Sequence, residues 1–278
     1  EKFVYISIPK HIKIHHVKTV EVKPLKNGKY KIILAQKYDD VLMKEHSTKF
    51  MSIDIGIANA LTCYDYKGNS HILSGRQWLA VERYFHKKIA HYQAISDAQQ
   101  VAKGMKYPKK SKRVLQLYRK RKGQTFHILH CMTKKVVDLA VKQGVETIVI
   151  GDITGIRDQT NFGKKTNQKF HQLPFEKIVQ MITYKAEEQG ISVVKQSEEY
   201  TSQTCSVCKP YPAKEFAKRS NRKHRGLYVC KDCQSVINAD VNGAINISKK
   251  YLKGLKAQSV VVLDTPTVYT FNGQKFIA

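Results

Sequence analysis

Apolar and polar residues alternate from the start of the chain. Val4, Ile6 and Ile8 are separated by polar or small positions, and residues 15–22 read H-H-V-K-T-V-E-V. Lys26-Asn27-Gly28-Lys29 is a hairpin-turn signal, and Tyr30-Lys31-Ile32-Ile33-Leu34 follows it. This period of two predicts β-structure over residues 1–40, resembling the tail end of a small barrel or sheet. The chain opens at Glu1 without an initiator Met, and the expectation is that part of this sheet precedes it. From Phe50 to Tyr64 the pattern predicts a strand, a turn and a second strand, with a third at His71-Ile72-Leu73. Three consecutive antiparallel strands would begin an α/β sheet.

The period then changes. Trp78, Val81, Tyr84, Phe85, Ile89 and Tyr92 fall at helical spacing. Tyr107-Pro108-Lys109-Lys110-Ser111 interrupts that spacing, and a second helix carries Val114, Leu117, Phe126, Leu129, Val136 and Leu139 up to Gly144. Val145 to Ile150 is a short apolar run between Gly144 and Gly151, which predicts a buried strand. Residues 161–172 read as a polar loop. Phe175 to Gln189 is an amphipathic helix stopped by Gly190, and Ile191 to Ser197 is a further strand. Strand, helix and strand make a βαβ unit and hence a parallel pair. A last helix is expected from about Ala239 to Leu252. The tail beyond Gly254 carries no strong pattern and is expected to be loosely held.

Charge narrows the function. The 278 residues hold 49 Lys and Arg against 22 Asp and Glu, a net charge of +27. An excess of that size points to a polyanionic partner, above all nucleic acid. No acid occurs between Asp97 and Asp138, whereas a solvated helix face mixes both signs. Phosphate contact is therefore expected for Lys109, Lys110, Lys112, Arg113, Arg119, Lys120, Arg121 and Lys122. No run approaches transmembrane length, no signal-peptide pattern precedes the first strand, and no membrane partner is expected. The compartment expected is a prokaryotic cytoplasm, at the nucleoid.

Six cysteines are present, and four fall into two C-x-x-C pairs, Cys205/Cys208 and Cys230/Cys233. Four thiolates in two closely spaced pairs match a closed tetrahedral zinc site, structural rather than catalytic. Cys63 and Cys131 read as ordinary buried thiols. The histidines show no metal-binding spacing. The loop between the pairs carries Arg219, Arg222 and Arg225, a basic finger expected to touch nucleic acid. Asp54 ends the first sheet strand in D-I-G-I, and Asp240 opens the last helix. Taken singly, the first also reads as a turn residue and the second as a helix N-terminal acid. Together they suggest carboxylates from distant segments converging on divalent cations, the way a two-metal nuclease is built.

D-I-G-I at 54–57, the basic helical insertion, Y-T-S-Q-T-C-S-V-C at 200–208, C-K-D-C at 230–233 and D-V-N-G-A-I-N-I at 240–247 resemble the TnpB family, transposon-encoded relatives of type V CRISPR effectors. The resemblance covers roughly residues 1–250. It implies an α/β fold: an RNase H-like RuvC core with a helical insertion and an inserted four-cysteine zinc ribbon, preceded by a β-rich segment. The implied segments are a wedge part at 1–47, core at 48–76, helical insertion at 77–144, core at 145–200, zinc ribbon at 201–236, the last core helix at 237–253 and a tail at 254–278. It also implies RNA-guided DNA cleavage with two Mg²⁺ ions, a guide RNA and double-stranded target DNA as partners, and structural Zn²⁺ on the four cysteines.

One position departs from the family pattern. The middle catalytic Glu belongs at the end of the buried strand, where this chain has Gly151. Three readings follow. Glu198, at the end of the neighbouring parallel strand, supplies the missing carboxylate, with Glu199 as its alternative; adjacent strands lie about 4.8 Å apart, within reach of a Glu side chain. Only one of the two can face the site, because neighbouring strand residues point to opposite faces. Asp152 serves in its place. Or the site is dead, and the protein is an RNA-guided DNA-binding repressor. The preferred set is Asp54, Glu198 and Asp240. A transposition accessory that binds nucleic acid without a guide is the third class. Tyr200, Thr201 and Ser202 are candidates either to bond a phosphate or to pack and cap the turn.

Overall fold

The computed structural model describes residues 5–10, 12, 14–25, 29–37, 39, 41–43, 46–152, 174–224, 226–257, 261–262 and 264–278. Two units separate, Glu1–Leu42 and Met43–Ala278. In the first, β1 (His16–Pro24) and β2 (Tyr30–Lys37) pair antiparallel, with Val20 opposite Leu34 and Val22 opposite Ile32. The hairpin is closed by the Leu25 N–H donating to the Lys29 carbonyl at 2.6 Å. The turn signal at Lys26-Asn27-Gly28 lies outside the described residues, as does the polar segment 161–172.

The second unit is built on a mixed sheet. Its first three strands, β3 (Phe50–Asp54), β4 (Asn59–Asp65) and β5 (Ser70–Ser74), are consecutive and antiparallel. β6 (Thr147–Asp152) lies parallel to β3, and β7 (Ser192–Ser197) lies parallel to β6. The helices α1 (Arg76–Ala102) and α2 (Lys112–Gln143) flank the break at 107–111. Ser111 caps α2 by accepting from the Val114 N–H at 3.4 Å, and Gly144 ends it in the left-handed region at φ 72°. Between β6 and β7, α3 (Phe175–Glu187) makes the βαβ unit that the spacing predicts.

Strand alternation sorts the core into two layers. Met51, Ile53, Ile148 and Ile150 face Leu129, Met132 and Val136 of α2 and Ile178 and Ile182 of α3. Phe50, Val149 and Tyr64 face the other way, against Val241, Ala244, Ile245 and Tyr251 of α4 (Ala239–Gly254). The sheet is thus covered on both sides, which explains its near-continuous apolar strands. Ser52, on the α4 side, donates its hydroxyl to the Ala244 carbonyl at 2.7 Å and fixes the helix close to the strand. Between β7 and α4 the chain leaves the sheet and forms a small three-stranded ribbon from β8 (Arg222–His224), β9 (Leu227–Val229) and β10 (Val236–Asn238). Among the described residues no helix is long and apolar enough to cross a membrane.

The tail corrects one expectation. β11 (Thr267–Phe271) adds parallel to β5, and β12 (Phe276–Ile277) folds back on β11, giving the strand order β12-β11-β5-β4-β3-β6-β7. The alternation is too short to be read from sequence, yet Tyr269 and Phe276 are buried in the layer that holds α2. Phe276→Ala is expected to cost about 3 kcal/mol. A urea-denaturation midpoint unchanged from wild type would show that the tail carries no core.

Candidate nucleic-acid-cleaving site and zinc ribbon

The site is set by side-chain alternation at the carboxyl ends of β3, β6 and β7. Phe50 and Ser52 face α4, so Asp54 does too. The helix makes room for it with Gly243: a methyl group there would overlap the Asp54 carboxylate. Val149 faces α4 on β6, so Gly151 does as well. A methyl group on Gly151 would overlap the Glu198 carboxylate, which occupies the space above this glycine. On β7, Val194 packs toward α4 and Glu198 follows with the same parity, while Glu199 is exposed. Asp152 has the parity of Ile148 and Ile150 and falls on the opposite face from Gly151.

The third acid comes from the first turn of α4. Asn238 caps that helix through its side-chain oxygen, which accepts from the Asp240 N–H at 2.9 Å and the Val241 N–H at 3.3 Å. Asp240 Oδ2 accepts from Asn59 Nδ2 at 2.7 Å, and its Oδ1 lies 3.4 Å from an Arg222 guanidinium nitrogen. Asn59 has no signal in the sequence, because a lone Asn after a turn is common. Arg222 belongs to the ribbon and was expected on a nucleic-acid-binding finger. The structure places its guanidinium beside Asp240.

Electrostatics are strained here. Burial pushes the Asp54 pKa up, Asp240 pushes it further, and only Arg222 opposes them. Burial, then Asp54, then Asp152 push the Glu198 pKa well above the carboxylate range, against the pull of Lys250. Glu198 Oε1 is buried with no hydrogen-bond partner among the described residues. Crowded, half-dehydrated carboxylates with an orphaned oxygen fit hard divalent cations, which bind oxygen donors and cancel the repulsion.

The four cysteine sulfurs lie within 4.8 Å of one another, with Cys205 Sγ 3.7 Å from Cys233 Sγ and Cys208 Sγ 3.7 Å from Cys230 Sγ. The spacing and the soft donor set fit tetrahedral zinc. Among the described residues the ribbon's buried hydrophobic cluster is Cys205, Tyr228 and Cys230, joined by Ala239 at the start of α4. Cys63 is buried in the sheet as expected. Cys131 is half-buried on α2, with its thiol donating to the Gln274 carbonyl at 3.2 Å.

The basic helices divide in two. Lys109, Lys110, Lys112, Arg113, Arg119, Lys120 and Lys122 are exposed or partly exposed. Several are held on aromatic faces: Arg113 lies 3.6 Å from the Tyr92 ring centroid and Lys110 4.7 Å from that of Tyr118. Arg121 is a correction. Its guanidinium bonds the buried Glu82 carboxylate, with Nε donating at 2.8 Å and a terminal nitrogen at 2.6 Å. Thr125 Oγ1 donates to the other oxygen at 2.7 Å. A buried Glu requires such a partner, so Arg121 locks α1 to α2 rather than facing a phosphate. On the ribbon Arg219 is exposed, and Arg225 lies outside the described residues. Thr201 is buried and caps its own turn, its hydroxyl donating to the Glu198 carbonyl at 2.7 Å.

Comparison with known proteins agrees with this architecture. A family model described as "Probable transposase" matches residues 32–157, and one described as "Cas12f1-like, TNB domain" matches residues 175–247. A protein named CRISPR-associated endodeoxyribonuclease Cas12f1 from Sulfoacidibacillus thermotolerans is 35% identical over 131 residues, covering 47% of this chain and 28% of the relative. Another Cas12f1 from Syntrophomonas palmitatica is 25% identical over 281 residues, covering 89% of this chain and 54% of the relative. TnpB-like protein ORF457 of Acidianus two-tailed virus is 25% identical over 234 residues, covering 83% and 48%. The chain thus spans about half the length of these relatives or less. A solved Cas12f1-sgRNA-target DNA complex aligns with TM-score 0.50 at 20% identity, covering 82% of this chain and 55% of that one. A CRISPR-Cas12f ternary complex aligns with TM-score 0.52 at 19% identity, covering 87% and 46%.

The mixed α/β sheet thus shares its fold with solved Cas12f structures, and the four clustered cysteines fit a zinc ribbon. Both family models match in chain order, and the chain is similar to TnpB-like proteins and to Cas12f1.

Two outcomes test the site. A buried acid with a raised folded-state pKa releases its proton more readily when unfolded. Stability is therefore fully present at low pH and is lost as pH rises from the ordinary carboxylate range toward the folded pKa. Glu198→Gln should raise the melting temperature in EDTA at about pH 8, flatten its decline between about pH 5 and 8, and abolish the increase that Mg²⁺ gives wild type. A Mg²⁺-induced shift that survives in Glu198→Gln would remove Glu198 from the cation site. Cys230→Ser should lose the bound zinc, read by metal analysis, and unfold the ribbon, because so small a core cannot stand alone.

Proposed function

We propose that this chain carries the DNA-cleaving part of an RNA-guided endonuclease of transposon origin. Asp54, Glu198 and Asp240 are its metal-holding acids. The observation that carries this reading is the fit between Gly151 and Glu198: the strand end that lacks its acid is filled by a carboxylate from the next strand. A site drifting out of use has no reason to keep this replacement together with Asp54 lodged on Gly243 and Asp240 held by Asn59.

Bound Mg²⁺ would activate water and neutralise charge on the target phosphodiester. The residues of the chain do the rest. Asp54 presents its oxygens from a central strand of the sheet, so little motion is lost when it ligates. Asn59 fixes the Asp240 carboxylate through Oδ2 and leaves Oδ1 toward Arg222. The Arg222 guanidinium, at the ribbon's edge, is within reach of the phosphate that such a site would take. The exposed lysines and arginines of 109–122 supply a sequence-independent grip on a guide–target duplex, as guided nucleases require. Guide RNA and double-stranded DNA are the partners of this reading, and the relatives' complexes with sgRNA and target DNA support it.

A crystal soaked in Mn²⁺ tests the site directly. One or two ions bound by Asp54, Glu198 and Asp240 are expected. Asp240→Ala should then abolish cutting of guide-matched DNA, by at least about a thousandfold, with DNA binding intact. If no ion binds and Glu198 turns to solvent, the nuclease reading fails and a guided, non-cutting repressor takes its place.

A further inference from the structure

Glu198 and Asp240 stand on opposite sides of the inserted ribbon, and Glu198 lies just beyond the last residue of the edge strand β7. No sheet ladder holds it. The turn that follows is itself strained, with Tyr200 in the left-handed region at φ 63°, which a non-glycine residue seldom adopts. Something other than local preference must hold this turn.

Asn242 and Asn246 do so. They lie one turn apart on α4 and are fully buried. Asn246 Nδ2 donates to the Thr201 and Thr204 carbonyls, both at 2.7 Å. Asn242 Nδ2 donates to the same two carbonyls, at 3.4 and 2.9 Å, while its Oδ1 accepts from the Ser206 N–H at 2.9 Å. Thr201 in turn gives its N–H, at 3.1 Å, and its hydroxyl, at 2.7 Å, to the Glu198 carbonyl. A continuous hydrogen-bonded path therefore runs from Glu198 through Thr201 and the two amides into α4, two residues from Asp240.

We propose that Asn242 and Asn246 are positioning residues for the cation site, fixing the separation of Glu198 from Asp240 across the ribbon. The inference rests on the reading of the three acids given above. A carboxamide suits this task because one group offers two donors at a point where two carbonyls converge. Both side chains are fully buried, and their amide nitrogens are spent on the two carbonyls. Their effect passes through Glu198 and should appear as a loss of cation affinity rather than of zinc.

The test is Mn²⁺ titration of the purified chain, read by the electron paramagnetic resonance of free Mn²⁺, with zinc measured in parallel. Asn246→Ala should weaken Mn²⁺ binding about tenfold, the usual effect of losing an outer-shell partner, with one zinc retained per chain. Asn242→Ala leaves Asn246 donating to both carbonyls. It should weaken Mn²⁺ binding less, and it decides the matter if Asn246→Ala does not fold. Phe276→Ala, which destabilises the opposite edge of the sheet, should leave Mn²⁺ affinity unchanged. Wild-type affinity in both Asn variants, with lowered stability or zinc, overturns the proposal and leaves the pair as ribbon anchors. An equal loss in Phe276→Ala also overturns it, since the effect would then be general loosening. Wild-type Mn²⁺ binding that is indifferent to Asp54→Asn refutes the acid site itself, and the positioning role with it.

Discussion

At the end of the sheet the buried Asp54 carboxylate faces the charge of Asp240 on one side and Glu198 on the other, and the surrounding structure has to tolerate that repulsion. Burial and mutual charge raise Asp54 and Glu198 well above the ordinary carboxylate range. The fold cannot relieve this by moving the acids apart. Asp54 sits on a central strand, and Asp240 is bonded to Asn59. What relief the protein offers is partial: a guanidinium beside Asp240 and a lysine near Glu198.

The stability that offsets such a site lies elsewhere. Both faces of the sheet are dry, one against α2 and α3 and the other against α4. Glycine is the means by which the two needs coexist. At Gly243 and Gly151 the missing side chains let acids occupy volume that a methyl group would deny them, without opening the core beneath. The ribbon is different. Its four-residue buried cluster is small for three short strands, and the four clustered cysteines, whose donor set fits zinc, and the two asparagines at its base add the remaining contacts.

Sequence was most informative where a residue type is forced by chemistry. The Cys pairs could be placed because thiolates at that spacing have few other uses, whereas Asp54 and Asp240 each have an ordinary reading and suggest a site only when taken together. The parity argument allowed only one of Glu198 and Glu199 to face the site, because the period of two in a strand is rigid. It could not find Asn59 or the contact of Arg222 with Asp240, since both arise from segments that meet only in three dimensions. Arg121 misled for the same reason: its partner Glu82 lies one helix away and is buried only once α1 and α2 pack. The tail was missed because β11 and β12 are short, and their burial comes from the edge of β5 rather than from any strong pattern of their own.

Moving an acid from one strand to its neighbour changes how it must be supported. At the end of β6 Gly151 is paired with Gln196 of β7, one residue past the last pair with β3 at Ile150, so the ladder fixes the direction of a side chain there. Beyond the end of β7 there is a strand on one side only, and the chain is about to leave the sheet. A carboxylate there reaches the same space over Gly151 but inherits the freedom of a loop. Restoring rigidity requires contacts from outside the sheet, and α4 is the element within reach because it already packs across β3 and β6. On the proposed reading the vacated glycine of β6 gives Glu198 its place, and the asparagines of α4 hold it there.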